Sequence, residues 1–151
     1  MEMNNLYFQE YLSKVIEILK QQHFHIKNDI KYKNQKFEYV AKRTRFETER
    51  FGLFSTFFLF AIFEKPDTLV LGDFSNKSFK YAQKTSGIHP PGGLFYSMAA
   101  FPVAIVSSID ENTAGTIRYK EPPRHWAATE KLVVFSLESK ALYYCEETFK
   151  W

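Results

Sequence analysis

The stretch FGLFSTFFLFAIF, residues 51 to 63, carries no charge, and six of its thirteen residues are phenylalanine. A segment this apolar has to be covered, and its length decides by what. As a helix it would reach about 20 Å at roughly 1.5 Å per residue, short of the ~30 Å of hydrocarbon in a bilayer. Gly52, Ser55 and Thr56 interrupt it as well. A membrane span is excluded, and so is an amphipathic surface helix, because no face is polar. As a strand, Phe57, Leu59, Ala61 and Phe63 point one way, and Phe58, Phe60 and Ile62 the other. Both faces are apolar, the pattern of a central strand in a sheet with helices on both sides. Phe58 and Phe60 are therefore expected to be almost fully buried. Left uncovered, the segment would pair with other chains.

The covering elements are legible on either side. Phe8, Leu12, Val15, Ile16 and Leu19 recur at helical spacing within residues 5–21, and Glu10 and Lys14 stand four apart on the opposite side. Short strands are predicted near 23–27 and 36–46, with Asn28-Asp29 and Asn34 at turns. Pro66-Asp67 breaks the chain after the Phe-rich strand. Asp67 then caps a helix whose buried stripe is Val70, Phe74, Ser78, Tyr81 and Ala82. Gly87 ends that helix, and GIHPPGG, residues 87–93, is a loop. In the second apolar run, LFYSMAAFPVAIVSS, Pro102 marks a division, with a buried strand from Pro102 to Ser107. Asp110 caps a short helix that stops before Pro122-Pro123. A hairpin closes the chain, LVVFSL and ALYYC flanking Glu138-Ser139-Lys140.

The order is α-β-β-β-α-β-α-β-β, which predicts an α+β fold with a mixed β-sheet and helices on both faces. A chain of 151 residues without repeats or low-complexity linkers is expected to form one domain, 1–151. Aromatic residues make up 18% of it, which favours strands and large buried contacts. The lone Cys145 permits no intramolecular disulfide and fits a reducing, cytoplasmic setting, and no secretory signal is expected from the acids and alternating polar residues of the first twenty positions.

Chemistry is sparser. His23 and His25 would share a face of one strand, the beginning of a metal site, but His89 and His125 fall in distant loops. Neither a metal nor a cofactor is expected. No P-loop and no G-x-S-x-G elbow is present. Charge is more informative. Between Lys27 and Arg45 seven Lys or Arg face two acids, Asp29 and Glu38, while the whole chain carries only +3. On a strand from 36 to 46, Phe37, Tyr39, Ala41, Arg43 and Arg45 share a face, and aromatic side chains beside arginine suit nucleic acid through phosphate contact and stacking. Lys and Arg on an outer strand also serve simply to deter edge pairing. If exposed, Arg43 and Arg45 can be replaced with little loss of stability. Arg124, His125 and Trp126, following Pro122-Pro123, form a second candidate, a rigid loop able to bind an anion or an aromatic ligand.

These features point to a non-catalytic binding module for a protein or another macromolecule. The alternative is a nucleic-acid-binding protein akin to the PD-(D/E)XK nucleases, whose core has the order of the first six elements. The acid and lysine candidates for that core, Glu38 with Lys42 and Glu64-Lys65, lack its motif spacing. The partners admitted are a protein, a second copy of the chain, or nucleic acid; a membrane is not among them.

Overall fold

In a computed structural model, residues 2–49, 51–86, 96–125 and 127–146 are described, with side chains from Leu6 onward. The elements are α1 (Glu2–Gln21), β1 (His25–Tyr32), β2 (Gln35–Glu47), β3 (Gly52–Phe63), α2 (Thr68–Ser86), β4 (Tyr96–Val106), α3 (Glu111–Tyr119), β5 (Arg124–His125), β6 (Ala128–Glu130), β7 (Val133–Ser136) and β8 (Ala141–Tyr144). The predicted order stands, with two short strands, β5 and β6, added before the last hairpin. The loop predicted at 87–93, Gly87 and His89 within it, lies outside the described residues.

One mixed sheet of eight strands organises the chain, in the order β1-β2-β3-β4-β6-β5, with β7 continuing beside β4 and β8 outside it. β1, β2 and β3 form an antiparallel meander. β3 and β4 are parallel over eleven residue pairs, Leu53↔Tyr96 to Phe63↔Val106, and β4 is parallel to both β6 and β7. From β3 to β4 to β7 the chain advances in one direction. Crossovers of constant hand therefore deliver α2 and α3 to the same face. The opposite face is left for α1, which completes the mixed α+β architecture.

Two cores result. Under α2, Leu71, Phe74, Phe79 and Ala82 meet Phe57, Leu59, Ala61, Met98, Ala104 and Val134. Under α1, Phe8, Leu12 and Ile16 meet Phe60, Val103 and Ile105, and Tyr11 stacks on Phe135 at 4.3 Å. The Phe-rich strand thus alternates between two cores, as its sequence requires. Phe60 is buried, but Phe58 is only half-buried, held among Phe24, Phe60 and Phe101. It is Phe57 that is fully enclosed.

Several local expectations change for identifiable reasons. His23 does not begin a strand. It ends α1 with φ 66°, while His23 N–H donates to the Lys20 carbonyl and Phe24 N–H to that of Leu19, both at 3.0 Å. This is a Schellman termination with histidine where glycine is usual. His23 and His25 therefore do not share a strand face. β1 runs through Asn28-Asp29, and the turn is Lys33-Asn34, both with positive φ, as a two-residue hairpin requires. Asp29, at φ 52°, breaks the alternation of side chains. Ile26 packs on the α1 side, whereas Ile30 and Phe37 pack on the α2 side.

Val70 is exposed and Leu71 takes its place in the stripe, while Asp67 caps α2 as predicted, its Oδ1 accepting from Val70 N–H at 2.8 Å. Pro102 does not divide β4. Even-numbered residues of β4 turn their polar groups toward β6 and β7: Met98 N–H donates to Ala127, and the Ala100 and Val106 carbonyls accept from Lys131 and Leu137. β6 pairs with Met98–Ala100 and β7 with Val103–Val106. The N–H that proline lacks falls where the partner strand changes, so the ladder loses nothing there.

Candidate ligand-binding cleft

The switch of partner along β4 also opens a site. The short β5–β6 hairpin, turned at Ala127 with φ 55°, pairs His125 with Ala128 and carries Glu130 opposite Ala100 of the central strand. Glu130 is buried, its side chain only 5% exposed, yet both of its oxygens are engaged. Oε1 accepts from Ser75 Oγ of α2 at 2.8 Å, and Oε2 lies 2.7 Å from His125 Nε2. Burying a carboxylate is costly unless such partners replace water. The imidazole is held further by Phe79, stacked on it at 3.8 Å and 13°. With Nε2 committed to Glu130, Nδ1 is the ring nitrogen that stands outside this relay.

This relay lines one wall of a cleft of about 340 Å³ between α2, α3 and the segment that follows α3. Leu71, Ile117, Leu132, Pro122 and Pro123 make most of it apolar, with Lys120, Glu121 and Lys131 charged. The volume suits a small ligand. Lys120 follows α3 directly and its backbone N–H closes the helix on the Thr116 carbonyl at 2.9 Å. Cys145 also lines the cleft and is buried and unpaired.

The residues singled out from sequence fall in three places. His125 is in the cleft. Arg124, its neighbour on β5, projects to the other side, exposed and 3.7 Å from Glu121. Trp126 lies outside the described residues. Tyr39, Arg43 and Arg45 share the α1 face of β2, but they are not equivalent. Tyr39 packs half-buried beside α1. Arg43 donates to the Gln22 carbonyl at 2.9 Å and lies over the Phe24 ring at 4.5 Å, with its buried Nε unpartnered. It therefore completes the C-terminus of α1, where carbonyls need donors and a cation is favoured. Arg45 is exposed. The condition of exposure on which negligible stability loss is expected is met by Arg45 and not by Arg43.

The acid and lysine candidates of the nuclease reading are scattered. Glu38 is paired with Lys36 at 3.3 Å. Lys42 donates to the Thr85 carbonyl and sits 5.5 Å above the Phe57 ring. Glu64 and Lys65 are exposed beyond β3. Among the described residues no three His, Cys, Asp or Glu side chains gather as metal ligands, and no helix is long and apolar enough to cross a membrane. Glu130 and Ser75 were not anticipated. The only sequence trace of the relay is His125 and Glu130 five residues apart, a spacing meaningful only once the hairpin register is known. Comparison with protein family models, with curated proteins and with solved structures gave no match.

Proposed function

We propose that the protein is a non-catalytic binding module whose cleft receives an organic anion with an apolar body. One observation carries this reading. Both carboxylates of the cleft are already partnered, Glu130 by Ser75 and His125, and Glu121 by Arg124. Lys120 and Lys131 form no ion pair among the described residues; Lys131 rests over the Tyr144 ring at 5.2 Å. An apolar cleft lined by two lysines without ion-pair partners among the described residues favours a ligand of opposite charge and matching apolar surface. His125 adds a fixed hydrogen-bonding ring. The free, buried Cys145 is compatible with a cytoplasmic setting.

Titration calorimetry with 3-phenylpropanoate and its methyl ester tests this. The acid is expected to bind at least about tenfold more tightly than the ester, roughly the 1.4 kcal/mol of one charge-assisted contact. The variant Lys120→Gln/Lys131→Gln should lose that preference. Equal binding of acid and ester, or no binding of either at millimolar concentration, refutes the proposal.

A protein partner or a second copy of the chain is the second reading. Phe46 and Leu53 are cross-strand neighbours at the end of β2 and β3, and with Phe51 they are 61%, 44% and 73% exposed. An apolar group of this kind at a hairpin end suits association. Sedimentation equilibrium of the wild type and of Phe46→Ser/Leu53→Ser would detect self-association. A monomer in both would leave only a different protein as the occupant.

A further inference from the structure

The basic stretch of the chain has its surface at the β1–β2 turn rather than at Arg43. Beyond Tyr39, β2 has no partner in β3, so the strands from Asn28 to Glu38 continue as a two-stranded ribbon. The ribbon lies on the C-terminal half of α2 through Phe37 and Tyr32, whose rings meet that of Tyr81 at 5.6 Å each. At its tip, like charges converge. Lys33 from the turn and Lys84 from α2, far apart in sequence, place their ammonium groups 5.4 and 5.7 Å from the centre of one ring, Tyr32. Lys31 stands directly across from Lys36, a position where sheets normally set opposite charges.

The ribbon's own acids do not neutralise them. Asp29 and Glu38 both lie within ion-pair distance of Lys36, at 3.9 and 3.3 Å. Lys31, Lys33 and Lys84 are exposed and form no ion pair among the described residues. A ring face repays part of the repulsion between two cations. A multivalent anion would repay the rest.

We infer that this tip is a nucleic-acid contact surface in which Lys31, Lys33 and Lys84 bind the phosphate backbone without reading sequence. A repeating phosphate polyanion supplies charge to lysines that stand on different elements and faces, Lys33 and Lys84 beside the Tyr32 ring and Lys31 across from Lys36, which a single small anion does not. Insertion into a lipid surface is disfavoured by composition. None of the exposed large apolar side chains lies between residues 24 and 45, so the tip has nothing to bury in a bilayer. The surface is separate from the cleft, which lies at the other end of α2, and does not depend on it.

The test is fluorescence anisotropy of a labelled 20-base-pair DNA duplex titrated with the full chain at several salt concentrations. The variant is Lys31→Gln/Lys33→Asn/Lys84→Gln, with asparagine at 33 because that residue sits at φ 46°. Wild type should bind at low salt, and the slope of log affinity against log salt should fall by about 2 to 3 in the variant, at roughly 0.9 per phosphate contact. The matching triple substitution to arginine should retain both affinity and slope, which separates loss of charge from loss of fold. Wild type that does not bind at low salt overturns the inference. So does an unchanged slope in the neutral variant, and so does binding to phosphatidylserine vesicles without binding to DNA.

Discussion

Replacing His125 by alanine is the sharpest probe of the buried relay. The substitution removes the donor 2.7 Å from Glu130 Oε2 and leaves a carboxylate that is 5% exposed with Ser75 as its one remaining partner. Leaving a buried acceptor without its donor costs about 1 to 3 kcal/mol, and more for a charged group. Loss of the ring stacked on Phe79 adds roughly 0.5 to 1.5 kcal/mol. His125 itself is 28% exposed, so water can enter the vacated space, which limits the expected total to about 3 kcal/mol. The decisive comparison is the double variant His125→Ala/Glu130→Met. It removes the stranded charge and leaves only the Ser75 hydroxyl short of a partner, a cost of about 1 to 3 kcal/mol. The double variant should therefore be more stable than the single one, by about 1 to 2 kcal/mol. Urea unfolding followed by far-ultraviolet circular dichroism measures both, with equal m values required for the comparison. A single variant as stable as wild type, or a double variant at the sum of the two single losses, would refute the claim that His125 exists to satisfy Glu130.

Other consequences are more local. Phe57→Ala should cost about 3 to 5 kcal/mol, since the ring is fully enclosed, whereas Phe58→Ala, from a half-buried site, should cost less; chemical denaturation ranks the two. Arg43→Ala should lower stability by about 1.5 to 3 kcal/mol through the lost bond to Gln22, while Arg45→Ala should melt like wild type. His23→Gly should raise stability by about 1 kcal/mol, because φ 66° is unfavourable for any side chain with a Cβ; an unchanged or lower melting temperature would contradict the assignment of the helix end. The Asp110 carboxyl is held below its ordinary pKa of 3.8, chiefly by the hydrogen bond from Thr113 N–H, 2.7 Å from its Oδ1. A depressed acid contributes stability that is present above 3.8 and lost as pH falls through its lower folded value. Asp110→Asn should therefore flatten the acid limb of a melting-temperature profile below pH 4, and an unchanged limb would exclude this cap as a contributor.

What the sequence determined by itself was set by period and by covalent constraint. An uncharged strand with two apolar faces demands two covering layers, and the helical spacing of Phe8, Leu12 and Ile16 supplies one of them. Aspartates before apolar-periodic segments mark the starts of α2 and α3, and the alternation in LVVFSL and ALYYC gives the closing hairpin, paired Val133↔Tyr144 to Ser136↔Ala141. These are signals within a few residues of the chain, where local geometry fixes the outcome. Register and position lay beyond them. The switch of faces at Asp29 depends on one backbone angle, and the tolerance of Pro102 on where β6 gives way to β7. Arg43 reads as a surface charge until Phe24 and the end of α1 come to rest beneath it. The cleft is the fullest case. Ser75, Phe79, His125 and Glu130 come from a helix and a seven-residue hairpin, none carries a motif, and burial of the Glu130 carboxylate has a physical reason only because the tertiary fold brings two partners to its two oxygens.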